Sequence, residues 1–180
     1  VQGGEPTNDL RESFLFNDKL RPILSHGTHV ASLAISGIQS WSLAGFAGNY
    51  TNPKQLQRIG EFIETHNGRF INMSFSFETP GGMAPPRESF TALEDLIRNQ
   101  EEALFFIAAG NSNSDLDRFP KYPAAWTYDN MIVVGALGTG EWQDFPDQNY
   151  GVKAEFSSFG RESTDIFAPG TDVMAGFLGK

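Results

Sequence analysis

Two spacings of apolar residues divide the chain into predicted helices and strands. Apolar residues recur at helical spacing in three segments, residues 26–38, 53–67 and 89–102. Short, continuous apolar runs bounded by turn residues predict buried strands at residues 70–75, 104–109 and 131–137. Such strands are covered on both faces, and strands that alternate with helices form a parallel sheet. We therefore expect an α/β fold, a three-layer α/β/α sandwich with a mostly parallel central sheet.

Turn and capping residues set the limits of these elements. Asn52 followed by Pro53 predicts an N-cap and a first-turn proline, and the helix that they open should end near Asn67 and Gly68. Residues 1–25 and 78–86 are rich in polar and turn-forming residues, which predicts irregular structure. A weak apolar run at residues 41–47 predicts a short strand.

Length, charge and composition restrict the classes of protein that remain. The chain has 180 residues without a repeat or linker, so we expect a single domain over residues 1–180. Its net charge is −9 with no basic run, which argues against nucleic acid and anionic membrane surfaces as partners. No apolar run approaches the roughly 20 residues of a membrane span. The absence of cysteine excludes disulfides and a thiol nucleophile within these residues.

Polar residues with catalytic potential follow the predicted strands. Residues 74–76 follow the first strong strand, and Gly110-Asn111-Ser112 follows the second. Because binding sites of open parallel sheets lie at the carboxyl ends of the strands, we expect these segments to share one edge. His26 stands where a polar loop turns into the first apolar helix, a rigid position that suits a general base.

Five segments in a fixed order give the chain a resemblance to a known family. They are residues 26–31 (HGTHVA), 71–74 (INMS), 108–111 (AAGN), 122–125 (YPAA) with 133–136 (VVGA), and 156–160 (FSSFG) with 166–170 (IFAPG). Each resembles a segment of the subtilisin-like serine proteases, the subtilases. Together they cover residues 26–170, so the chain is identified as a member of that family.

The resemblance implies a serine endopeptidase that hydrolyses peptide bonds through an Asp-His-Ser triad and an acyl-enzyme. It gives His26 the role of general base, His29 a structural role and Asn111 that of the side-chain donor of the oxyanion hole. The residues implied to pair with substrate or to wall the pocket for the residue preceding the cut are Ser74, Phe75, Ser76, Gly110, Pro123 and Ala124. Small residues in that wall suit an apolar substrate side chain. The bond between Tyr122 and Pro123 is expected to be cis.

Neither the family's serine segment nor its aspartate signature is visible in the sequence. Asp9-Leu10 resembles the dipeptide that follows the aspartate signature, so we expect the catalytic aspartate before Val1 and the catalytic serine beyond Lys180. Asp9 and Asp18 are alternatives for the aspartate, but neither follows an apolar strand. We therefore expect an internal piece of a catalytic domain, truncated at both ends, marginally stable and inactive alone, with strands partly uncovered on one side.

A metal site is the main alternative chemistry for the histidines. His26 and His29 share a helix face, but a third ligand is needed, His66 is the one remaining histidine, and no acidic cluster flanks the pair. We therefore expect no catalytic metal and no cofactor, although the resemblance leaves room for a structural calcium ion in the parent protein. Three further carboxylates that could bind a cation are better explained as solvated: Asp115, Asp117 and Asp165.

Two rival functions remain open. A non-catalytic, subtilase-like module could hold a peptide in the same cleft, but such a binder needs neither His26 nor Asn111. An unrelated flavodoxin-like nucleotide binder is disfavoured because no glycine-rich phosphate loop follows a strand. We expect a monomeric enzyme that acts on polypeptides and, by analogy with the family, is secreted.

Overall fold

The computed structural model describes residues 21–39, 42–46, 49–77, 84–139 and 150–173. The chain forms two compact units, and the described residues up to Phe46 belong to one while those from Asn49 to Val173 belong to the other. Asp9 and Asp18 lie outside the described residues, as do residues 1–20 of the predicted irregular segment 1–25 and most of the predicted loop 78–86. The irregular structure predicted for residues 21–25 is wrong, since they are helical. Each unit is considered by itself.

The first unit contains helix α1, Arg21–Ala34, which begins earlier than the sequence predicted. A proline at position 22 suits the first turn of a helix because its φ angle is already helical. His26 therefore lies in the second turn of α1, and its predicted place at the helix start is wrong. A turn over residues 35–37 ends the helix, and Gly37 adopts the left-handed conformation with φ 76°. The strand predicted at 41–47 is also wrong, since residues 42–46 are exposed and form no strand.

Helix α2, Pro53–His66, begins and ends at the predicted capping residues. The side chain of Asn52 accepts a hydrogen bond from the Lys54 N–H at 3.0 Å, which satisfies one of the unpaired donors of the first turn. Asn67 is left-handed at φ 52°, and the Gly68 N–H donates to the Ile63 carbonyl at 2.8 Å. Both predicted ends are confirmed.

Within its described residues, the second unit is built around a five-stranded sheet. Its strands are β1 (Phe70–Met73), β2 (Leu104–Ala108), β3 (Met131–Thr139), β4 (Tyr150–Lys153) and β5 (Ile166–Pro169). The β1–β2, β2–β3 and β3–β5 pairs are parallel, and only β4 runs antiparallel to its neighbour β3. The mostly parallel sheet and the α/β class are therefore confirmed.

Strand β3 is long enough to pair with three strands, which are β2, β4 and β5. Val134 pairs with Ala108 of β2 and with Ile166 of β5, so these strands lie on opposite edges. Three residues later Leu137 pairs with Pro169 of β5 and with a residue of β4. Strand β4 therefore continues along the edge of β3 that β2 leaves.

Helix α3 is Thr91–Asn99 and is preceded by a 3-10 turn over Arg87–Phe90. Apolar side chains of α2, α3 and this turn pack into the core of the second unit. The most deeply buried members of this core include Leu56, Phe90, Leu93, Ile97, Phe105, Ile107 and Val133. Burial of these apolar side chains is the main stabilising contribution of the unit.

Burial alternates along the central strands, although their sequences are continuously apolar. Phe105 and Ile107 are buried, whereas Phe106 between them is half-buried. In β3, Val133 is buried and Val134 half-buried. The prediction of complete cover on both faces is therefore wrong for the described residues, while the predicted partial exposure is seen at Phe106 and Val134.

Among the described residues, no helix has both the length and the apolar character that a membrane crossing requires.

Candidate active site

The segment that follows β1 is held by aromatic contacts on either side of Ser76. The ring of Phe75 stacks on that of Tyr50 with 4.5 Å between centroids, and the ring of Phe77 lies 4.8 Å from that of Phe90. Partial burial raises the pKa of Tyr50. Ser76 itself is exposed. The aromatic side chains thus fix the backbone of this segment while Ser76 faces solvent.

A glycine turn follows β2 and carries Asn111. Gly110 has φ 100°, a conformation that residues with a Cβ rarely adopt. A methyl group on Gly110 would lie 3.6 Å from Ser158 Oγ and 3.9 Å from Ser76 Cβ. The structure therefore brings Ser76 and Gly110 together as the sequence predicted. Asn111 is exposed, and its side chain makes no hydrogen bond within the part of the chain that the structure describes.

The turn bearing Asn111 is fastened by main-chain bonds to a distant segment. The Ser158 N–H donates to the Gly110 carbonyl at 2.9 Å, and the Asn113 N–H donates to the Phe156 carbonyl at 2.8 Å. Further along, the Leu116 N–H donates to the Phe159 carbonyl at 2.7 Å. The FSSFG segment, residues 156–160, is therefore hydrogen-bonded to the turn that bears Asn111 and restricts the movement of that turn.

A polar cluster that the sequence analysis did not predict lies behind the same turn. Lys121 Nζ donates to Ser112 Oγ at 2.6 Å, and Ser112 Oγ lies 3.3 Å from Ser158 Oγ. Ser158 is fully buried, and Lys121 is only 9% exposed. We call Lys121, Ser112 and Ser158 the lysine–serine cluster. The one signal in the sequence is a lysine set among aromatic and proline residues, where a solvated cation is unexpected.

The predicted cis bond between Tyr122 and Pro123 is confirmed. Pro123 is fully buried and Ala124 is 4% exposed, so these two predicted wall residues lie beneath the surface of the unit. The ring of Tyr122 packs 5.3 Å from that of Trp126. The guanidinium of Arg87 lies 5.8 Å from the centre of the Tyr122 ring.

Arg87 also belongs to an ion pair that supports this turn. Its guanidinium and the Tyr128 hydroxyl both donate to the Glu94 carboxylate. These bonds, that of Arg87 first, lower the pKa of Glu94. Burial, with the bond to Glu94, raises the pKa of Tyr128. The cluster connects helix α3 to the residues around the cis bond.

The carboxylate of Asp117 organises the turn that follows the FSSFG segment. It accepts hydrogen bonds from the N–H groups of Arg161 at 2.6 Å, Glu162 at 3.2 Å and Ser163 at 3.0 Å, and from the Ser163 hydroxyl at 2.6 Å. These bonds, that of the hydroxyl first, lower the pKa of Asp117. A methyl group on Gly160 would lie 2.6 Å from Asp117 Oδ1, so only glycine fits there.

We expect Asp117→Ala to lower the melting temperature by several degrees at neutral pH, because four donors lose their acceptor. Since the folded-state pKa of Asp117 is depressed, the difference from wild type should be complete above its unfolded pKa of about 3.9. The difference should vanish as the pH falls through the lower, folded-state value. Thermal melts between pH 2 and 7 test this, with the exposed Asp129→Ala as control. A difference that persists unchanged at the lowest pH would contradict the proposed role of the charge.

His26 lies on α1 in the first unit and is exposed, while His29 is half-buried. The His29 carbonyl accepts a hydrogen bond from the Ser32 hydroxyl at 2.9 Å. Since Asn111 belongs to the second unit, the predicted meeting of His26 and Asn111 in one cleft stays a prediction. The roles of Ser74, Phe75, Gly110, Pro123 and Ala124 toward substrate likewise stay predictions.

The three carboxylates considered as cation ligands make separate hydrogen bonds. Asp115 Oδ1 accepts the Asp117 N–H at 3.1 Å, and Asp165 Oδ2 accepts the Val133 N–H at 2.7 Å. Among the residues that the structure describes, no three His, Cys, Asp or Glu side chains are grouped so that they could hold a metal ion. A calcium site in the parent protein stays a prediction.

Two solved structures are similar in fold to this chain. A chain from the subtilase cytotoxin SubAB assembly has a TM-score of 0.60 and 20% identity, over 89% of this chain and 57% of its own. The epidermin leader peptide processing serine protease (EpiP) from Staphylococcus aureus has a TM-score of 0.56 and 19% identity, over 81% of this chain and 39% of its own. The chain thus spans well under two thirds of either neighbour.

At this level of identity the two structures establish the fold alone. None of the curated proteins compared with the chain matches it. The sequence model of the Subtilase family, however, matches residues 15–178, nearly the whole length. This match agrees with the mostly parallel sheet, the glycine turn after β2 and the cis bond before Pro123. The chain therefore belongs to the subtilase family.

Proposed function

We propose that this chain supplies the histidine base and the oxyanion-hole amide of a subtilisin-like serine endopeptidase. The observation that carries the proposal is the turn at the carboxyl end of β2. There Gly110 meets Ser76, and the next residue, Asn111, is exposed. An amide N–H is a suitable donor to the negative oxygen of a tetrahedral intermediate, provided that the group is held in place. The bonds from residues 156–158 provide such support.

In the proposed reaction, a serine hydroxyl attacks the carbonyl carbon of the peptide bond. The imidazole of His26 takes the hydroxyl proton and later gives it to the leaving amine. The side-chain amide of Asn111 donates a hydrogen bond to the carbonyl oxygen as that oxygen becomes negative. A water molecule then hydrolyses the acyl-enzyme with the same two groups in the same roles.

The segment after β1 is proposed to align the substrate. Residues that leave the end of a strand can add a substrate backbone as a further strand, which gives main-chain hydrogen bonds without a demand on sequence. Two features support this role for Ser74, Phe75 and Ser76. Phe75 is anchored by its ring contact, and Ser76 is exposed. The protein is proposed to act as a monomer, on polypeptides and outside the cytoplasm, which size-exclusion chromatography and cell fractionation would test.

The test uses the full-length protein, denatured protein substrates and a serine-directed fluorophosphonate. We expect hydrolysis that stops when the reagent modifies a single serine. As a control, the enzyme itself, once heat-denatured, should neither hydrolyse substrate nor become labelled. Peptide binding without hydrolysis and without labelling would refute the proposal. That outcome would favour the non-catalytic, peptide-binding module.

A further inference from the structure

The turn that carries Asn111 is bounded by two residues with left-handed backbone conformations. Gly110 has φ 100° and Asn113 has φ 48°. Asn111 and Ser112 lie between them and are exposed. A side chain in the middle of a short turn is placed only as well as the backbone that carries it. The position of the Asn111 amide therefore depends on how the two ends of this turn are fixed.

The side chain of Lys153 fixes the end of the turn at Asn113. Lys153 Nζ donates to Asn113 Oδ1 at 2.9 Å, to the Ala154 carbonyl at 3.0 Å and to the Ser157 carbonyl at 2.9 Å. An ammonium group has three N–H donors, so these three bonds use all of them. The same nitrogen lies 5.1 Å from the centre of the Phe159 ring. The ammonium group is therefore held in one position.

The backbone of Lys153 is itself fixed in the sheet. Lys153 is the last residue of β4 and pairs with Leu137 of β3. A hydrogen bond from a charged donor is stronger than one between neutral groups, so the bond to Asn113 is a firm connection between this strand and the turn. The Asn113 N–H also donates to the Phe156 carbonyl at 2.8 Å. The end of the turn is thus connected to β4 and to the segment that follows it.

The backbone conformation alone does not account for an asparagine at position 113. Asparagine tolerates the left-handed region better than most residues, but glycine adopts it at no steric cost. A glycine would lack the side-chain oxygen that accepts from Lys153. The amide of Asn113 therefore adds a contact with the lysine that the turn geometry does not require.

We propose that Lys153 is a positioning residue for the oxyanion donor, because through Asn113 it fixes the turn that carries Asn111. The inference rests on the proposed endopeptidase function. A donor stabilises an oxyanion only when it is already aimed at the place where the charge develops. A misplacement of about 1 Å can lower a rate by about 10²-fold. The lysine acts through the turn and takes no part in bond cleavage.

The test is a double-mutant cycle on the full-length enzyme that measures kcat and KM on one peptide. We expect Lys153→Met to lower kcat about 10-fold and to change KM by about twofold or less, since a displaced amide affects the transition state more than the bound substrate. In the Asn111→Ala background, Lys153→Met should lower kcat by about twofold or less, because no amide is left to place. Lys54→Met, at an exposed lysine of α2, should change neither constant.

A second variant tests the same connection from its other side. Asn113→Gly removes the acceptor, keeps the left-handed conformation accessible and leaves the lysine in place. It should lower kcat by a similar factor, and Lys153→Met added to it should have little further effect. If Lys153→Met does not fold, Asn113→Gly with and without Asn111→Ala decides by the same comparison.

Equal losses of kcat with and without the Asn111 amide would show that Lys153 only supports the folded state, and would overturn the inference. A rise in KM with unchanged kcat, or wild-type constants in both Lys153→Met and Asn113→Gly, would do the same. Each of these results leaves the proposed endopeptidase function intact. Absence of hydrolysis by wild type would overturn both.

Discussion

Replacing His26 with alanine should lower kcat of the full-length enzyme by a factor on the order of 10⁴ to 10⁶, with little change in KM. Without the imidazole, no group takes the proton from the attacking serine or returns it to the leaving amine. The loss should therefore appear in the chemical step and not in substrate binding. Initial rates on one peptide over a range of concentrations separate kcat from KM.

His66→Ala is the matched control for this variant. His66 is exposed on α2, and its imidazole stacks on the neighbouring Phe62 ring within the same helix. We expect this control to retain kcat within about twofold, in keeping with the small effects of surface substitutions. If His26→Ala hydrolyses peptides as well as wild type, His26 is not the general base. His29 would then be tested next, because it lies on the same helix.

Replacing Asn111 with alanine should lower kcat by about 10²- to 10³-fold and leave KM nearly unchanged. The amide is proposed to bond to the oxygen only when that oxygen carries negative charge, so its loss affects the transition state more than the bound substrate. Because Asn111 is exposed and makes no side-chain bond to a described residue, the variant should also melt at nearly the wild-type temperature.

The control is Asn99→Ala, at an exposed asparagine at the end of α3, which should change neither kcat nor KM. A rise in KM with unchanged kcat would mean that Asn111 binds substrate and does not stabilise the oxyanion. A large drop in melting temperature would mean that the Asn111 side chain has a structural role. A lower kcat of that variant would then argue against the assignment of Asn111 to the oxyanion hole.

Features determined by local chemistry were predictable from the sequence. Asn52 and Pro53 open α2, and Asn67 closes it, because capping depends on residues within one turn. The predicted start of α1 at His26 is wrong because the polar and turn-forming residues of segment 1–25 favour a loop, although a proline at position 22 is compatible with a first turn. The strand starts at Phe70, Leu104 and Met131 were also correct.

Features that depend on distant partners were not predictable in the same way. Ser112 and Ser158 are far apart in sequence, and only the folded chain brings their hydroxyls within 3.3 Å. The half-buried state of Phe106 depends on what covers the sheet, which a continuous apolar run does not reveal. The cis bond before Pro123 was expected from the family resemblance, since an X-Pro sequence alone favours the trans form.

Two residues that follow β4 along the chain bear on how Asn111 comes to be exposed. The last ladder bond between β2 and β3 runs from the Ala109 N–H to the Val134 carbonyl, at 2.9 Å. Beyond it, the Ala136 N–H donates to Ser157 Oγ at 2.9 Å, and the Gly110 carbonyl accepts from the Ser158 N–H at 2.9 Å. In a longer parallel ladder, the Ala136 N–H would instead donate to the Ala109 carbonyl.

Ser157 and Ser158 therefore occupy main-chain hydrogen-bonding groups at the point where β2 and β3 separate. Beyond Ala109 the chain leaves the ladder at Gly110, in a conformation that glycine adopts readily. The exposed Asn111 thus follows a point where residues more than forty positions downstream take hydrogen bonds beside the end of the ladder. A deletion of the Ser157-Ser158 pair would remove both of these bonds, and we expect it to loosen the turn that bears Asn111.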